Sequence, residues 1–216
     1  MTLARRLTAE FVGTGFLLAA VVGSGIMGER LSGGSVGLAL LANTIATGAM
    51  LVALILTFGP ISGAHMNPAV TLADASRGGL AWRDVPGYFV AQLTGALAGV
   101  VCAHLMFGIA VFAPSQRVRA GAPQMFSEFI ATFGLMSVIW GCSRFRADAV
   151  PFAVGLYITS AYWFTASTSF ANPAVTLARS LTNTFSGIRP IDAPGFIAAQ
   201  LLGALAATLL FRWLTP

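Results

Sequence analysis

The sequence contains one stretch of seven residues twice, without a change. Residues 67–73 and residues 172–178 both read Asn-Pro-Ala-Val-Thr-Leu-Ala. Two further matches flank this stretch in the same order, pairing residues 9–12 with 127–130 and residues 86–98 with 194–206. Three ordered matches make chance remote. The chain is therefore predicted to be one domain, residues 1–216, built from two similar halves at about 5–110 and 123–214.

Long apolar segments recur in each half. A membrane-spanning helix needs about 20 mostly apolar residues, and six segments qualify: 7–28, 35–58, 85–110, 124–143, 149–168 and 192–213. Two shorter apolar pieces, 65–76 and 171–181, are too short to cross. Charged residues make up 9% of the chain, whereas a soluble domain has about 25%. This composition predicts an integral membrane protein and excludes most soluble enzymes and regulators.

The charges also bear on partners and orientation. All twelve basic residues are arginines, scattered without a run, so no nucleic-acid partner is expected. Six spans place both termini on one side, together with seven of these arginines. The excess of basic residues favours cytoplasmic termini in a bacterial inner (plasma) membrane, with lipid as the surrounding partner. Three spans in each half would insert the two halves in opposite orientations.

Each short apolar piece opens with a helix-start pattern. Asn caps a helix and Pro occupies its first turn, where the missing N–H costs nothing. Asn67 and Asn172 could be caps and nothing more. However, short broken helices at matching positions of inverted repeats point to a pathway at the bilayer midplane. Two helix N-termini meeting there would each carry about half a positive charge, which favours a neutral oxygen-bearing solute over cations and protons.

These motifs resemble one family. The run Ser62-Gly63-Ala64-His65-Met66-Asn67-Pro68-Ala69, with Asn172-Pro173-Ala174, is similar to the doubled motif of the aquaporin (major intrinsic protein) family. The resemblance covers essentially the whole chain. It implies an all-α membrane fold with six transmembrane helices and two re-entrant half-helices, one pore per protomer, and a homotetramer. It implies no catalytic residue, cofactor or metal.

Three further side chains match family positions. Glu10 and Glu128 match buried glutamates that hold the half-helix loops. A carboxylate within the membrane could instead relay protons, and that alternative stays open. His65 is either a strut of its loop or a pore-lining residue, and the resemblance places it near the cytoplasmic vestibule.

The sequence departs from the family at the selectivity constriction. Most members have an arginine after the second Asn-Pro-Ala, but Val175 follows here. Counting without gaps, the other constriction positions fall on Thr47, Ser160 and Ser169, which are all small, so a wide constriction is expected. Arg179 lies one turn beyond Val175 and could lean back towards the pore, or it could contact a loop or a headgroup. Pro190-Ile191 resembles the pair found in glycerol-conducting members, but the Arg-Asp pair of those members is missing.

The sequence therefore predicts a passive channel for small uncharged solutes, namely glycerol, urea or metalloid hydroxides such as arsenite, together with water. One alternative is a channel that conducts mainly water. An alternative of another class is a proton-coupled secondary transporter that uses Glu10 or Glu128. An intramembrane hydrolase is disfavoured because neither histidine, His65 or His104, has a partner at the spacing of the repeat.

Overall fold

The computed structural model describes residues 1–215, so Pro216, the last residue of the predicted domain, lies outside it. Within residues 1–215 there is no β-strand, which confirms the predicted all-α class. The eight α-helices, in chain order, are α1 (Leu3–Leu31), α2 (Val36–Ser62), α3 (Pro68–Ser76), α4 (Val85–Phe107), α5 (Ala122–Phe145), α6 (Val150–Phe164), α7 (Pro173–Arg179) and α8 (Ala193–Leu214).

The long helices agree with the predicted spans, with one correction. Five of them, α1, α2, α4, α5 and α8, are long and apolar enough to cross a membrane. The fifth predicted span in chain order, 149–168, extends too far, because α6 ends at Phe164 after 15 residues. Thr165 to Asn172 leave the helix to form the loop before α7. The cluster of Thr and Ser residues at 165–169 was the sequence signal for this helix end.

The two halves repeat the same succession of helices. Each has two long helices, then a short one, then a third long one, as in α1–α4 and α5–α8. The first long helix of each half packs against the second and third of that half, and α2 packs against α6 between the halves. The short helix of each half contacts the last long helix of the other half, α3 with α8 and α7 with α4. The short helices therefore join the two halves at the centre.

Glycines at the crossings let the helices approach closely. A Cβ atom added to Gly99 in α4 would lie 2.8 Å from Leu18 Cβ in α1, and closer still to the carbonyl oxygen of Gly15. Gly95 in α4 and its repeat partner Gly203 in α8 face backbone carbonyl oxygens in the same way. Small residues at such crossings are typical of helices that associate within a membrane, where van der Waals packing replaces the hydrophobic effect.

The distribution of polarity is the reverse of that in a soluble protein. The fully buried side chains include Glu10, Gln92, Glu128 and Gln200. Large apolar side chains face outward along the long helices, for example Ile45, Leu105 and Leu209. This arrangement suits a hydrocarbon solvent outside and a polar interior.

The tight crossing of α1 and α4 can be tested with Gly99→Ala. We expect the added methyl group to push the helices apart and to lower the thermal unfolding temperature of the purified protein in detergent. The matched control is Gly37→Ala in α2, where an added Cβ meets nothing within 4 Å. Because Ala favours a helix over Gly by up to about 1 kcal/mol, the control should be neutral or stabilising. Equal unfolding temperatures for the two variants would show that the crossing is not tight.

Candidate pore

The two short helices begin in the same way. Asn67 precedes α3 and Asn172 precedes α7, with φ and ψ of −157° and 117° in the first and −158° and 115° in the second. The Asn67 Oδ1 atom accepts the Ala69 N–H at 2.9 Å, and the Asn172 Oδ1 atom accepts the Ala174 N–H at 3.0 Å. The geometry of both caps agrees with the sequence pattern, with Pro68 and Pro173 in the first turn.

The asparagine amides also join the two helix ends. The Asn67 Nδ2 atom donates to the Ala171 carbonyl at 2.8 Å, and the Asn172 Nδ2 atom donates to the Met66 carbonyl at 2.8 Å. The short helices therefore meet N-terminus to N-terminus. An amide nitrogen carries two N–H groups, so each asparagine keeps one that these bonds do not use. Both asparagines line the cavity described below.

The loops before the asparagines have an unusual backbone. Ala64 and Met66 have φ of 48° and 46°, and Ser169 and Ala171, which stand at the matching positions, have φ of 51° and 49°. This left-handed region costs an ordinary residue roughly 1–2 kcal/mol. Such a conformation persists only when surrounding contacts over-determine it.

Glu10 supplies those contacts in the first half. Its carboxylate is fully buried and accepts the backbone N–H groups of His65 at 3.0 Å and Met66 at 2.6 Å. It also accepts the Ser62 hydroxyl at 2.6 Å and the Gln92 amide at 2.8 Å. Four donors compensate for the desolvation of one buried carboxylate, as burial of a charge requires.

Glu128 repeats this arrangement in the second half. It accepts the backbone N–H groups of Phe170 and Ala171, both at 2.8 Å, and the Gln200 amide at 2.6 Å. Neither glutamate is among the residues that line the cavity. This geometry favours a loop-holding role over a proton relay.

Sequence analysis missed two partners of these glutamates, Gln92 and Gln200, and the two threonines that these glutamines contact. Gln92 also donates to Thr71, and Gln200 donates to Thr176, so each glutamine links a carboxylate to a short helix. All four residues lie inside the repeated segments. The repeat was therefore the signal that could have found them, had it been read as a set of contacts.

One cavity of about 470 Å³ passes between the two helix ends. Arg6, His65 and Asp74 line it at one end, and Arg179 lines it at the other. Helix α1 indicates how far the Arg179 end lies from the first loop, because Glu10 contacts that loop and Val21 contacts Ser186 beside Arg179. These positions are about 16 Å apart at 1.5 Å per residue. We call the two ends the Asp74 end and the Arg179 end.

The cavity is lined by both apolar and polar residues. Leu17, Leu51, Val70, Val154 and Val175 are among its apolar lining residues. The lining also includes the loop residues 63–65 and 169–170, whose carbonyl oxygens accept no hydrogen bond from residues 1–215. The Ser169 hydroxyl is likewise buried without a partner in that part of the chain. The residues that a passing solute would meet thus include free hydrogen-bond acceptors.

The structure corrects one of the four predicted constriction positions. Thr47, Ser169 and Val175 line the cavity, but Ser160 is exposed and lies outside it. Helix α6 instead presents Tyr162, whose hydroxyl donates to Thr47 Oγ1 at 3.3 Å. Two helical positions differ by about 200° around the axis, so gap-free counting from Asn172 selected the wrong face of α6. An aromatic ring stands where a small side chain was expected.

Arg179 combines the two placements that the sequence left open. It is 2% exposed and lines the cavity. Its Nε donates to the Ser186 carbonyl, which is a loop contact. Its guanidinium carbon lies 3.3 Å from the centre of the Phe170 ring, and Phe170 also lines the cavity.

His65 likewise combines both suggested roles. Its backbone N–H is bound by Glu10, as befits a strut of the loop, and its ring lines the cavity. The Nδ1 atom lies 3.2 Å from Thr71 Oγ1, and the Nε2 atom lies 3.5 Å from a carboxylate oxygen of Asp74. His65 is therefore a side chain of the Asp74 end.

Comparison with known proteins gives a consistent result. The family model described as "Major intrinsic protein" matches residues 1–148 and 141–216. The chain is 59% identical to aquaglyceroporin AqpS of Rhizobium meliloti, covering 98% of this chain and 91% of that one. It is 32% identical to the probable aquaporin AqpM of Archaeoglobus fulgidus, covering 99% and 98%. The fold matches the aquaglyceroporin structure from Plasmodium falciparum with a TM-score of 0.75 at 21% identity, covering 97% and 96%.

The loop-holding role of the buried carboxylates can be tested with Glu10→Gln. The amide has only one acceptor oxygen, and its NH₂ group would face N–H donors of the loop. Each buried donor left unpaired costs roughly 1–3 kcal/mol, so we expect a lower unfolding temperature and less folded protein. The control is Glu29→Gln, which removes an exposed ion pair with Arg117 worth at most about 1 kcal/mol. Full stability of Glu10→Gln would exclude the role.

Proposed function

This chain belongs to the major intrinsic protein family, and from that membership we propose that its central cavity is the path of a passive channel. The family and its aquaglyceroporin relative support a channel for water and small solutes. Five apolar helices support an integral membrane protein. We propose further that the channel admits small uncharged polyhydroxylated solutes: glycerol, urea and metalloid hydroxides such as arsenite.

One observation carries this proposal: the cavity lining combines free hydrogen-bonding groups with hydrocarbon. A neutral solute gives up water on entering, and a lost hydrogen bond that is not replaced costs several kcal/mol. The free carbonyls of residues 63–65 and 169–170 can accept its hydroxyl hydrogens, and the amides of Asn67 and Asn172 can donate to its oxygens. The apolar lining residues suit the carbon-bound parts of such a solute.

The charges along the cavity support exclusion of cations. The N-termini of α3 and α7 each contribute about half a positive charge at the centre. Arg179 adds a guanidinium at one end, and it has no ion-pair partner within residues 1–215. Nearby, Arg119 is partly buried, and desolvation lowers its pKa to about 10, so it is charged at neutral pH. At the centre and at the Arg179 end, a cation would lose its water without gaining an opposing charge.

The rival proposals use different parts of the molecule. A proton-coupled transporter would need a titratable group in the solute path, but Glu10 and Glu128 lie outside the cavity and are already bound by internal donors. A channel that conducts mainly water remains the alternative within the family, and Tyr162 favours it more than the sequence suggested. The relative from Rhizobium meliloti is named an aquaglyceroporin, which favours the wider solute range.

We further propose a homotetramer in a bacterial inner membrane, with cytoplasmic termini and halves of opposite orientation. The distribution of arginines supports this orientation. It would place the Asp74 end of the cavity at the cytoplasm. No nucleic acid, cofactor or metal has a part in the proposed function.

Stopped-flow light scattering on liposomes containing the purified protein tests the function. We expect faster water and solute equilibration than in empty liposomes, comparing glycerol, urea and arsenite, with no accumulation above the external concentration. Asn67→Ala combined with Asn172→Ala should reduce the flux, while Asn183→Ala, in the loop after α7 and outside the cavity, should not. Solute accumulation driven by a pH gradient would instead identify a transporter.

The same protein in a planar bilayer tests charge exclusion. Because the centre and the Arg179 end are both positive, Na⁺ and H⁺ currents should stay at the level of the bare bilayer. A steady cation current above leak would show that these positive groups do not form the barrier.

A further inference from the structure

The structure assigns Arg179 as the specificity-determining residue of the constriction: its terminal nitrogens meet the passing solute and set the width of the opening. This inference rests on the proposed channel function. It concerns a residue one helical turn after Val175, the position that sequence analysis placed at the constriction. An arginine there would narrow an opening that the sequence predicts to be wide.

The hydrogen bonding of the guanidinium indicates this role. Arg179 is almost completely buried, yet only its Nε has a protein partner within residues 1–215, the Ser186 carbonyl. Its two terminal nitrogens have no protein partner in that part of the chain, but the protein does not enclose them completely. They therefore remain accessible from the cavity that the side chain lines. A buried charge without partners is costly, so these donors need water or solute oxygens from the cavity.

Contacts with three neighbouring residues, Phe170, Ser186 and Ile188, hold the Arg179 side chain and its backbone in place. Its guanidinium lies against the Phe170 ring, at 3.3 Å from the ring centre. The Ser186 hydroxyl donates to the Val21 carbonyl at 2.9 Å, which ties the accepting segment to α1. The Ile188 N–H donates to the Arg179 carbonyl at 3.3 Å. The planar, forked guanidinium keeps its orientation in such a setting, whereas a flexible ammonium would not.

A second arginine, in the loop between α4 and α5, stabilises the residues that hold Arg179. Arg119 donates through Nε to the Gly187 carbonyl at 2.8 Å and through Nη1 to the Ser167 carbonyl at 2.9 Å. Its guanidinium carbon is also 5.0 Å from the centre of the Phe170 ring. Arg119 does not line the cavity. It is thus a positioning residue for Arg179.

The geometry of α7 explains why residue 179 can act near residue 175. Helical side chains lean towards the N-terminus of their helix, and these two residues share one face. Val175 is short, so it leaves room for the arginine to lean over it. The resulting opening has guanidinium donors beside an apolar surface, with the Thr47 and Tyr162 hydroxyls also on the cavity wall.

The test compares Arg179→Ala and Arg179→Lys in liposomes, with the permeability to erythritol, a four-carbon polyol, divided by the water permeability. Arg179→Ala should raise this ratio roughly fivefold or more, because width and donors limit the larger polyol most. Arg179→Lys keeps the charge but loses the planar fork, and it should raise the ratio by a smaller factor. The matched control is Arg117→Ala, which removes an exposed arginine outside the cavity and should leave the ratio unchanged.

Each result decides the inference. If Arg179→Ala does not fold, the conservative Arg179→Lys variant decides alone, and a parental ratio in that variant overturns the assignment. An equal rise in Arg117→Ala would also overturn it, because the loops and not Arg179 would then set the width. A parent protein that conducts neither water nor glycerol would overturn the channel function itself, whereas a conducting parent with insensitive Arg179 variants overturns only this inference.

Discussion

Two buried carboxylates hold the loops and short helices on which the central cavity of this protein depends. Irregular backbone at membrane depth must have its polar groups satisfied by the protein or by water. Glu10 and Glu128 bind the N–H groups on one side of each left-handed loop. The carbonyl oxygens of the same loops are thereby left free for the cavity. Each glutamate thus stabilises its loop and leaves the carbonyl oxygens of that loop free to accept hydrogen bonds from a solute.

The repeat provides two of these glutamate-bound loops, and together they form a path through the molecule. Because the two halves carry the same loop, two short helices meet end to end, and each asparagine bonds to the opposite loop. The positive ends of both helices then coincide at the centre of one cavity. Neutral, hydrogen-bonding solutes fit such a site, and cations do not. Selection among the neutral solutes is left to the Arg179 end, where Tyr162 and Arg179 stand.

The sequence predicted those features that depend on local rules or on the repeat. The asparagine caps, the two short helices and the eight-helix order follow from capping and apolar length. The face of α6 did not follow, because the length of the loop before Asn172 fixes whether Ser160 or Tyr162 lies on the cavity. The sequence left the placement of Arg179 open between the pore and a loop, since it depends on the Ser186 carbonyl of a loop segment whose position the sequence did not give.

The most direct test of a conducting path through this cavity is a thiol block. Ser169→Cys places a near-isosteric thiol on the cavity wall, while the native Cys102 and Cys142 lie outside the cavity. Water permeability of liposomes would be measured before and after a thiol-specific mercurial reagent. We expect the variant to fall to the permeability of protein-free liposomes and the parent to be unaffected. Full water flux through the modified variant would mean that water crosses the membrane by another route.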